Sequence, residues 1–508
     1  MKPQKAILLG AAVTVALPTQ SLLAKSDKQP NIIYIIADDL GYGELGCYGQ
    51  KKIETPNIDK LAQSGMIFTN HYSGTAVSGP SRCILMTGLH SGHAYIRGND
   101  EMADRGDVWS HKAMLENAHL EGQMPLKANT QTIARQLQTA GYKTACVGKW
   151  GLGYPGSEGE PNKQGFDFFY GYNCQRQAHT YYPPFLYKND KRVYLDNPLL
   201  PPGTKLDKDA DPKDPKSYDK YTLKQYSPDL MLDEIMGFVG ENKSNPFLLM
   251  WTTPIPHVAL QAPKEWVDHY VKKFGDEEPY IGNKGYFPCR YPRATYAAMV
   301  TYFDDQVGKL VEKLKQEGIY DNTIIMFTSD NGPTFNGGSD SPWFDSAKPF
   351  KSEAGWGKAS IREGGIRVPF IVSWPNKVKA GTKNDHICAF WDMLPTMCEV
   401  ANADYNKSNV DGISIVPTLL GKKQKKHDYL YWEYPEGKGA IAIRMGKWKG
   451  FIPKIKDGNR TMELYDLEKD PREQVNLAAQ YPKIVETLTA KMNEAHLDPE
   501  NKKFDMGL

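Results

Sequence analysis

Asn31 to Ala37 reads NIIYIIA, a continuous apolar, β-branched run of the kind that forms a strand buried on both faces. Similar runs recur at Thr144–Val147, Phe247–Thr252, Thr323–Thr328 and Val368–Ser373. Helical spacing separates them. Thr55 to Gly65 begins with a polar residue before Pro56 and stops at glycine, and Thr130–Ala140 is closed by Gly141. Pro228–Val239 and Thr295–Glu317 follow, the second ended by Gly318. Strands alternating with helices predict an α/β fold with a large, mostly parallel sheet sandwiched by helices.

The pattern changes towards the C-terminus. After helix-like Trp391–Ala403, the lysine-rich Lys422–Lys426 reads as a solvated connector. Short alternating runs at Tyr429–Glu433, Ala440–Arg444 and Glu463–Asp466, then a helix around Ile484–His496, predict a smaller α+β subdomain with a short antiparallel sheet. The expected organisation is a signal segment over 1–24, a catalytic domain over 25–421 and a C-terminal subdomain over 422–508. The signal segment rests on Lys2 and Lys5 before the apolar run Ala6–Pro18, too short to span a bilayer, with cleavage after Ala24. It implies export to the periplasm or beyond.

Composition removes several classes of function. In 508 residues, 62 Lys and Arg nearly balance 60 Asp and Glu, and a net charge of +2 does not suit broad neutralisation of nucleic-acid phosphates. With 11% aromatics, the chain has the means to build a packed core. Seven widely spaced cysteines form neither a disulfide framework nor a close pair for zinc, leaving at most one or two bridges.

In open α/β sheets, ligands bind beyond the carboxyl ends of the strands. Here those ends carry Asp38 and Asp39, then Lys149, then His257, then Asp330 and Asn331. Singly, each has a bland reading, since Asp pairs cap helices and exposed lysines are commonplace. Together they converge on one rim. Three carboxylates so close repel one another without a cation, and oxygen donors suit Ca²⁺, with Mg²⁺ as second choice.

The most specific motif is Ser78-Gly79-Pro80-Ser81-Arg82, followed by Thr87-Gly88. With Ala37-Asp38-Asp39, Gly148-Lys149-Trp150, Ser329-Asp330-Asn331-Gly332, Lys358 and Glu363-Gly364-Gly365, it resembles the formylglycine-dependent sulfatases of the alkaline-phosphatase superfamily. Glu463-Leu464-Tyr465-Asp466 and Asp470-Pro471 resemble the closing segment of that family, so the likeness covers nearly the whole mature chain. It implies an alkaline-phosphatase-like fold and hydrolysis of sulfuric esters. It also implies that Ser78 is oxidised to formylglycine, whose hydrate offers one hydroxyl to attack sulfur and a second whose deprotonation expels sulfate. A serine rather than a cysteine at this position is similar to the type matured by the oxygen-independent radical enzyme of anaerobic bacteria.

The resemblance carries further roles. Asp38, Asp39, Asp330 and Asn331, with an oxygen of modified Ser78, would hold the cation. Arg82 would pair with the formylglycine and lower its pKa, Lys149 and Lys358 would neutralise charge on the sulfuryl group, and His257 would protonate the leaving alcohol. One position departs: the family usually reads Gly-Lys-Trp-His, and Gly151 replaces that histidine. An Asp of the cation cluster or a histidine such as His93 is left to take the second hydroxyl's proton. Two other readings stay open, a phosphoric ester hydrolase of the same superfamily and a non-catalytic binder of sulfated glycans.

The segment Phe166–Tyr187 reads as a long aromatic insertion, suited to stacking against a sugar ring. It is similar to segments of bacterial carbohydrate sulfatases that act on terminal sulfated galactose or N-acetylgalactosamine. This implies an exo-acting enzyme with His179 reading the sugar, and Arg97 and Asn99 as further candidate contacts.

Overall fold

The computed structural model describes residues 28–508, so the expected signal segment lies outside the described residues. Ten strands form one twisted sheet. At its centre Asn31–Ala37 lies between Thr323–Ser329 and Phe247–Thr252, parallel to both, and Lys143–Lys149 extends the parallel set beyond Phe247–Thr252. Phe370–Ser373 is the exception among the strands read from the sequence, running antiparallel to Thr323–Ser329.

Alternate residues of the central strand face opposite layers, as its pleat requires. Ile32, Tyr34 and Ile36 pack on one face with Leu85, Met86 and Leu394, whereas Ile33 and Ile35 pack on the other with Val239, Ala297 and Leu310. The helices Ser227–Asn242 and Pro292–Gln316 cover the second face, and Ser78–Thr87, Ile133–Thr139 and Met393–Ala401 the first. Each fully buried Ile adds about 1.5–3 kcal/mol, which explains why this run is almost purely aliphatic.

The aromatic stretch Phe166–Tyr187 is not the irregular insertion expected. It supplies Phe168–Tyr172 and Phe185–Lys188 to the sheet, joined by the short 3-10 turn Gln175–His179. Phe and Tyr favour the pleated, half-buried surface. Gly171 lies opposite Gly148 in the parallel register, where a Cβ would stand 1.9 Å from the Gly148 carbonyl oxygen. That close approach sets Lys149 beside Tyr172 at the carboxyl end of the sheet.

A four-stranded antiparallel sheet, Leu430–Tyr434, Ala440–Met445, Trp448–Pro453 and Glu463–Asp466, forms the C-terminal layer, with Pro482–Ala495 packed on it. The sequence pattern missed its third strand, whose Gly450 and Pro453 interrupt the alternation. Lys449 reaches from this sheet to Glu363 at 2.9 Å and Glu473 at 3.1 Å, with all three side chains buried. Burial alone would raise the Glu363 carboxyl, but Lys449, Arg367 and Arg444 outweigh it and bring its pKa down to about 2. All seven cysteines are free.

Candidate active site

The groups at the strand ends meet. Ser78 opens the helix Ser78–Thr87, its Oγ donating to Asp38 Oδ1 at 3.0 Å. Arg82 follows one turn later on the same helix face. Its guanidinium donates to Asp330 Oδ2 at 3.1 Å, Asp38 Oδ2 at 3.4 Å and the Lys149 carbonyl at 2.5 Å. Lys149 Nζ reaches Asp38 Oδ2 at 2.6 Å, and Lys358 Nζ reaches Asp39 Oδ2 at 2.8 Å. Asp39 has φ +68°, a left-handed turn that aspartate tolerates, and its N–H donates to Asp330 Oδ1 at 3.2 Å.

His257 Nδ1 lies 2.5 Å from the Val258 carbonyl, which fixes its proton there and leaves Nε2 facing Asp39 Oδ2 at 3.7 Å. The rings of His257 and His179 stack at 5.3 Å with 5° between planes. The carboxylates are fully buried, whereas the Lys358 side chain keeps 19% of its exposure, so the site opens on that side.

Burial pushes the Asp38 carboxyl up, but Lys149, His257, Arg82 and Lys358 outweigh it and hold it far below the usual carboxylate range. Burial raises Asp330 to about 6, helped by neighbouring Asp38 and opposed by Arg82. Asp39 is also raised, chiefly by burial. Lys149 is lowered by burial, and His257 is driven well down by burial and by the positive Lys358 and Lys149. An anion entering between those cations would restore the basicity of His257.

The donor set fits a hard divalent cation. Asn331 donates its amide N–H to Asp39 Oδ1 at 2.7 Å, which turns its own Oδ1 inward as a buried acceptor without a hydrogen bond. Asp38, Asp39 and His257 each place a ligand atom within 4.8 Å of the others. Three carboxylates against Arg82, Lys149 and Lys358 leave the cluster neutral. A divalent cation would make it +2, which favours an anion such as a sulfate ester.

Not every candidate belongs here. Arg97 is buried against Glu433 at 2.9 Å and donates to the Ala94 and Leu497 carbonyls, so it ties the chain to the C-terminal layer instead of reaching substrate. His93 binds Asp411 at 2.9 Å and stacks on His90. Asp411 also takes the His90 N–H, and its own N–H donates to Gly88, at the far end of the Ser78–Thr87 helix. That helix spans about 15 Å, so His93 cannot act as the base on Ser78.

Asn99 lies beside the start of the Ser78–Thr87 helix, together with Gln175, which the sequence did not single out. Their side chains hydrogen-bond at 3.3 Å, and a Cβ on Gly79 would lie 2.6 Å from Asn99 Oδ1 and 3.0 Å from Gln175 Nε2. At Gly151, with φ +77°, a Cβ would meet Gln175 Cγ at 2.5 Å. Gln175 therefore occupies the space next to Gly151, where the motif usually has histidine, and its amide cannot accept the proton. Among the described residues, Asp38 is the carboxylate hydrogen-bonded to Ser78. Tyr286 went unnoticed in the sequence, yet its ring meets His179 at 5.1 Å and His257 at 5.9 Å. No motif signals it.

The chain is similar to known proteins along most of its length. The sulfatase family pattern matches residues 30–403, and the pattern described as N-sulphoglucosamine sulphohydrolase, C-terminal, matches 352–498. N-acetylgalactosamine-6-O-sulfatase of Bacteroides thetaiotaomicron is 28% identical over 521 residues, covering 92% of this chain and 93% of its own. Human arylsulfatase A is 28% identical over 543 residues, covering 96% and 92%. The crystal structure of Ps i-CgsB in complex with a neocarrahexaose superimposes with a TM-score of 0.73 at 28% identity, covering 93% of this chain and 94% of that one. With its family pattern spread over most of the chain, and Ser78, the lysines, Arg82 and the carboxylates gathered at one rim, this protein belongs to the sulfatase family and is a hydrolase of sulfuric esters.

Proposed function

We propose that the protein is an exported, exo-acting carbohydrate sulfatase for sulfated galactose or N-acetylgalactosamine, using formylglycine made from Ser78 and a bound Ca²⁺. The observation that carries the reading is the contact between Ser78 Oγ and Asp38 at 3.0 Å, inside a cluster flanked by Lys149, Lys358 and the stacked His179–His257 pair. The sugar assignment is supported by His179, a partly exposed imidazole stacked on His257, and by relatives named for N-acetylgalactosamine. Export is supported by the N-terminal charge and apolar pattern, and maturation by an anaerobic sulfatase-maturating enzyme by the serine at position 78.

Asp38, Asp39, Asp330 and Asn331 would hold the cation, which when bound polarises the sulfate oxygens. Oxidised and hydrated, Ser78 would present two hydroxyls. Arg82 draws Asp38 and Asp330 together beside it and keeps the nucleophile in an electropositive setting. Lys149 and Lys358 neutralise the sulfuryl oxygens as the ester bond to the sugar breaks. His257, with Nδ1–H fixed on Val258, would take up a second proton at Nε2 once the bound anion restores its basicity, and as imidazolium would pass that proton to the departing sugar oxygen. An Asp of the cation cluster would take the proton of the second hydroxyl, the task for which Gly151 and Gln175 have no group.

The test is His179→Ala, assayed on sulfated galactose, on sulfated glucosamine and on an aryl sulfate. Loss of about 10²-fold in kcat/KM on sulfated galactose, with a much smaller loss on the aryl ester, is the expected result. Equal losses on both would remove His179 from sugar recognition. A preference of the parent enzyme for sulfated glucosamine would overturn the galactose assignment.

A further inference from the structure

Tyr286 holds an unusual backbone. Its φ is +61°, a left-handed conformation that bulky residues rarely adopt and that persists where the surroundings enforce it. The surroundings are specific. Tyr280 takes the Lys284 N–H at 2.9 Å and donates to the Gly285 carbonyl, tying the turn down from behind. In front, Gly337 lets the ring approach: a Cβ there would lie 3.0 Å from Tyr286 Cδ2 and 2.8 Å from Val258 Cβ.

The enforced turn delivers the ring into the site. Tyr286 stands edge-on to both members of the stacked pair, at 68° to His179 and 73° to His257. Its hydroxyl makes no hydrogen bond among the described residues, and the residue is partly exposed. The ring adjoins His257, whose Nε2 faces the Asp39 carboxylate that Lys358 also binds, and that sets it at the sulfate end of the site. Burial raises its pKa, so it is a neutral phenol with a proton to donate.

We propose that Tyr286 touches substrate, its hydroxyl donating a hydrogen bond to an oxygen of the sulfuryl group held between Lys358 and His257. The proposal rests on the sulfuryl-transfer reading of the site but not on the identity of the sugar. The hydroxyl, on a partly exposed residue, is open to a ligand, and an incoming sulfate oxygen would replace water as its acceptor. The ring, lying across two imidazole edges, would also keep His257 aligned on the leaving oxygen.

The experiment compares Tyr286→Phe and Tyr286→Gly with the parent, in the calcium-loaded, matured full chain. Phenylalanine keeps the ring and removes the hydroxyl; glycine removes the side chain at a φ it adopts freely. Steady-state kinetics are measured on an aryl sulfate and on sulfated galactose. Inorganic sulfate binding is measured by calorimetry in the Ser78→Ala background, where no turnover or formylglycine is needed. Tyr286→Phe is expected to lower kcat/KM about tenfold or more on both substrates and to weaken sulfate binding severalfold, with an unchanged melting temperature. Kinetics and sulfate affinity within twofold of the parent overturn the proposal. A loss confined to Tyr286→Gly overturns it too, since packing alone would then explain the residue. A loss on the sugar ester alone, with sulfate affinity kept, places the contact on the sugar and likewise overturns it. If the Ser78→Ala parent binds no sulfate, the sulfuryl-transfer reading fails as well, an outcome distinct from the others.

Discussion

Lys149 and Asp38 meet at 2.6 Å with both side chains out of reach of solvent. Removing one partner of such a pair leaves an uncompensated buried charge, at a cost of about 3–5 kcal/mol. Lys149→Ala is therefore expected to lower both stability, read by urea unfolding, and kcat, by about 10²–10³-fold. A variant as active as the parent would remove Lys149 from charge neutralisation.

Ser78 contributes a single hydrogen bond to the site, through Oγ. Ser78→Ala should abolish turnover of an aryl sulfate while the melting temperature stays with the parent's. In protein matured by the anaerobic enzyme, the Ser78 peptide should be lighter by two hydrogens in its mass spectrum. Turnover by Ser78→Ala would sink the covalent mechanism.

The inward Asn331 Oδ1 and its three neighbouring carboxylates suit a hard cation. EDTA should inactivate the enzyme, with Ca²⁺ restoring activity better than Zn²⁺. Asp330→Asn should reduce calcium content, measured by emission spectroscopy, together with kcat. Full activity in a metal-free sample would contradict the cation's role.

Because Gln175 stands where a proton acceptor is expected, release of sulfate should be the slow step. Pre-steady-state assays should show a burst of alcohol followed by slower turnover. Linear release from the first turnover onward would show that elimination keeps pace with attack.

A histidine remote from this chemistry should govern acid stability. His71 is fully buried, stacks on Phe370 at 4.0 Å and leaves Nε2 without a partner. Burial lowers its pKa to about 3 from an ordinary value near 6.5. The native state thus binds fewer protons than the unfolded chain, so this contribution is whole above about pH 6.5 and is lost as pH falls towards 3. The loss approaches about 1.4 kcal/mol per pH unit and amounts to about 2 kcal/mol between pH 6.5 and 4.5. His71→Phe should flatten that slope in denaturant titrations; an unchanged slope would show that other groups set it.

The strand ends were legible because a strand buried on both faces must be aliphatic, so the polar residue after each run marks where the sheet meets solvent. Asp38, Lys149, His257 and Asp330 were found that way, before any contact was known. Arg97 and His93 were misplaced because nearness in sequence to the nucleophile helix says little about position after a 10-residue helix. Arg97 serves Glu433, more than three hundred positions away in the chain. Gln175 and Tyr286 were invisible for a related reason. Each is set by a backbone turn, the first against Gly151 and the second at φ +61°, and neither turn has a residue pattern that a single sequence reveals.

The ion triad Glu363–Lys449–Glu473 has a consequence for how the molecule can be divided. A chain ending at residue 421 would retain every proposed catalytic group, yet Glu363 would lose Lys449 and Arg444 and keep Arg367 and the Tyr72 hydroxyl beside it. The carboxylate would be stranded a few positions from Lys358, on the stretch of chain that brings that lysine to Asp39. The C-terminal layer is thus a keystone of the catalytic half. Grafting, exchanging or trimming it would loosen the grip on sulfate before it touched any residue that performs the reaction.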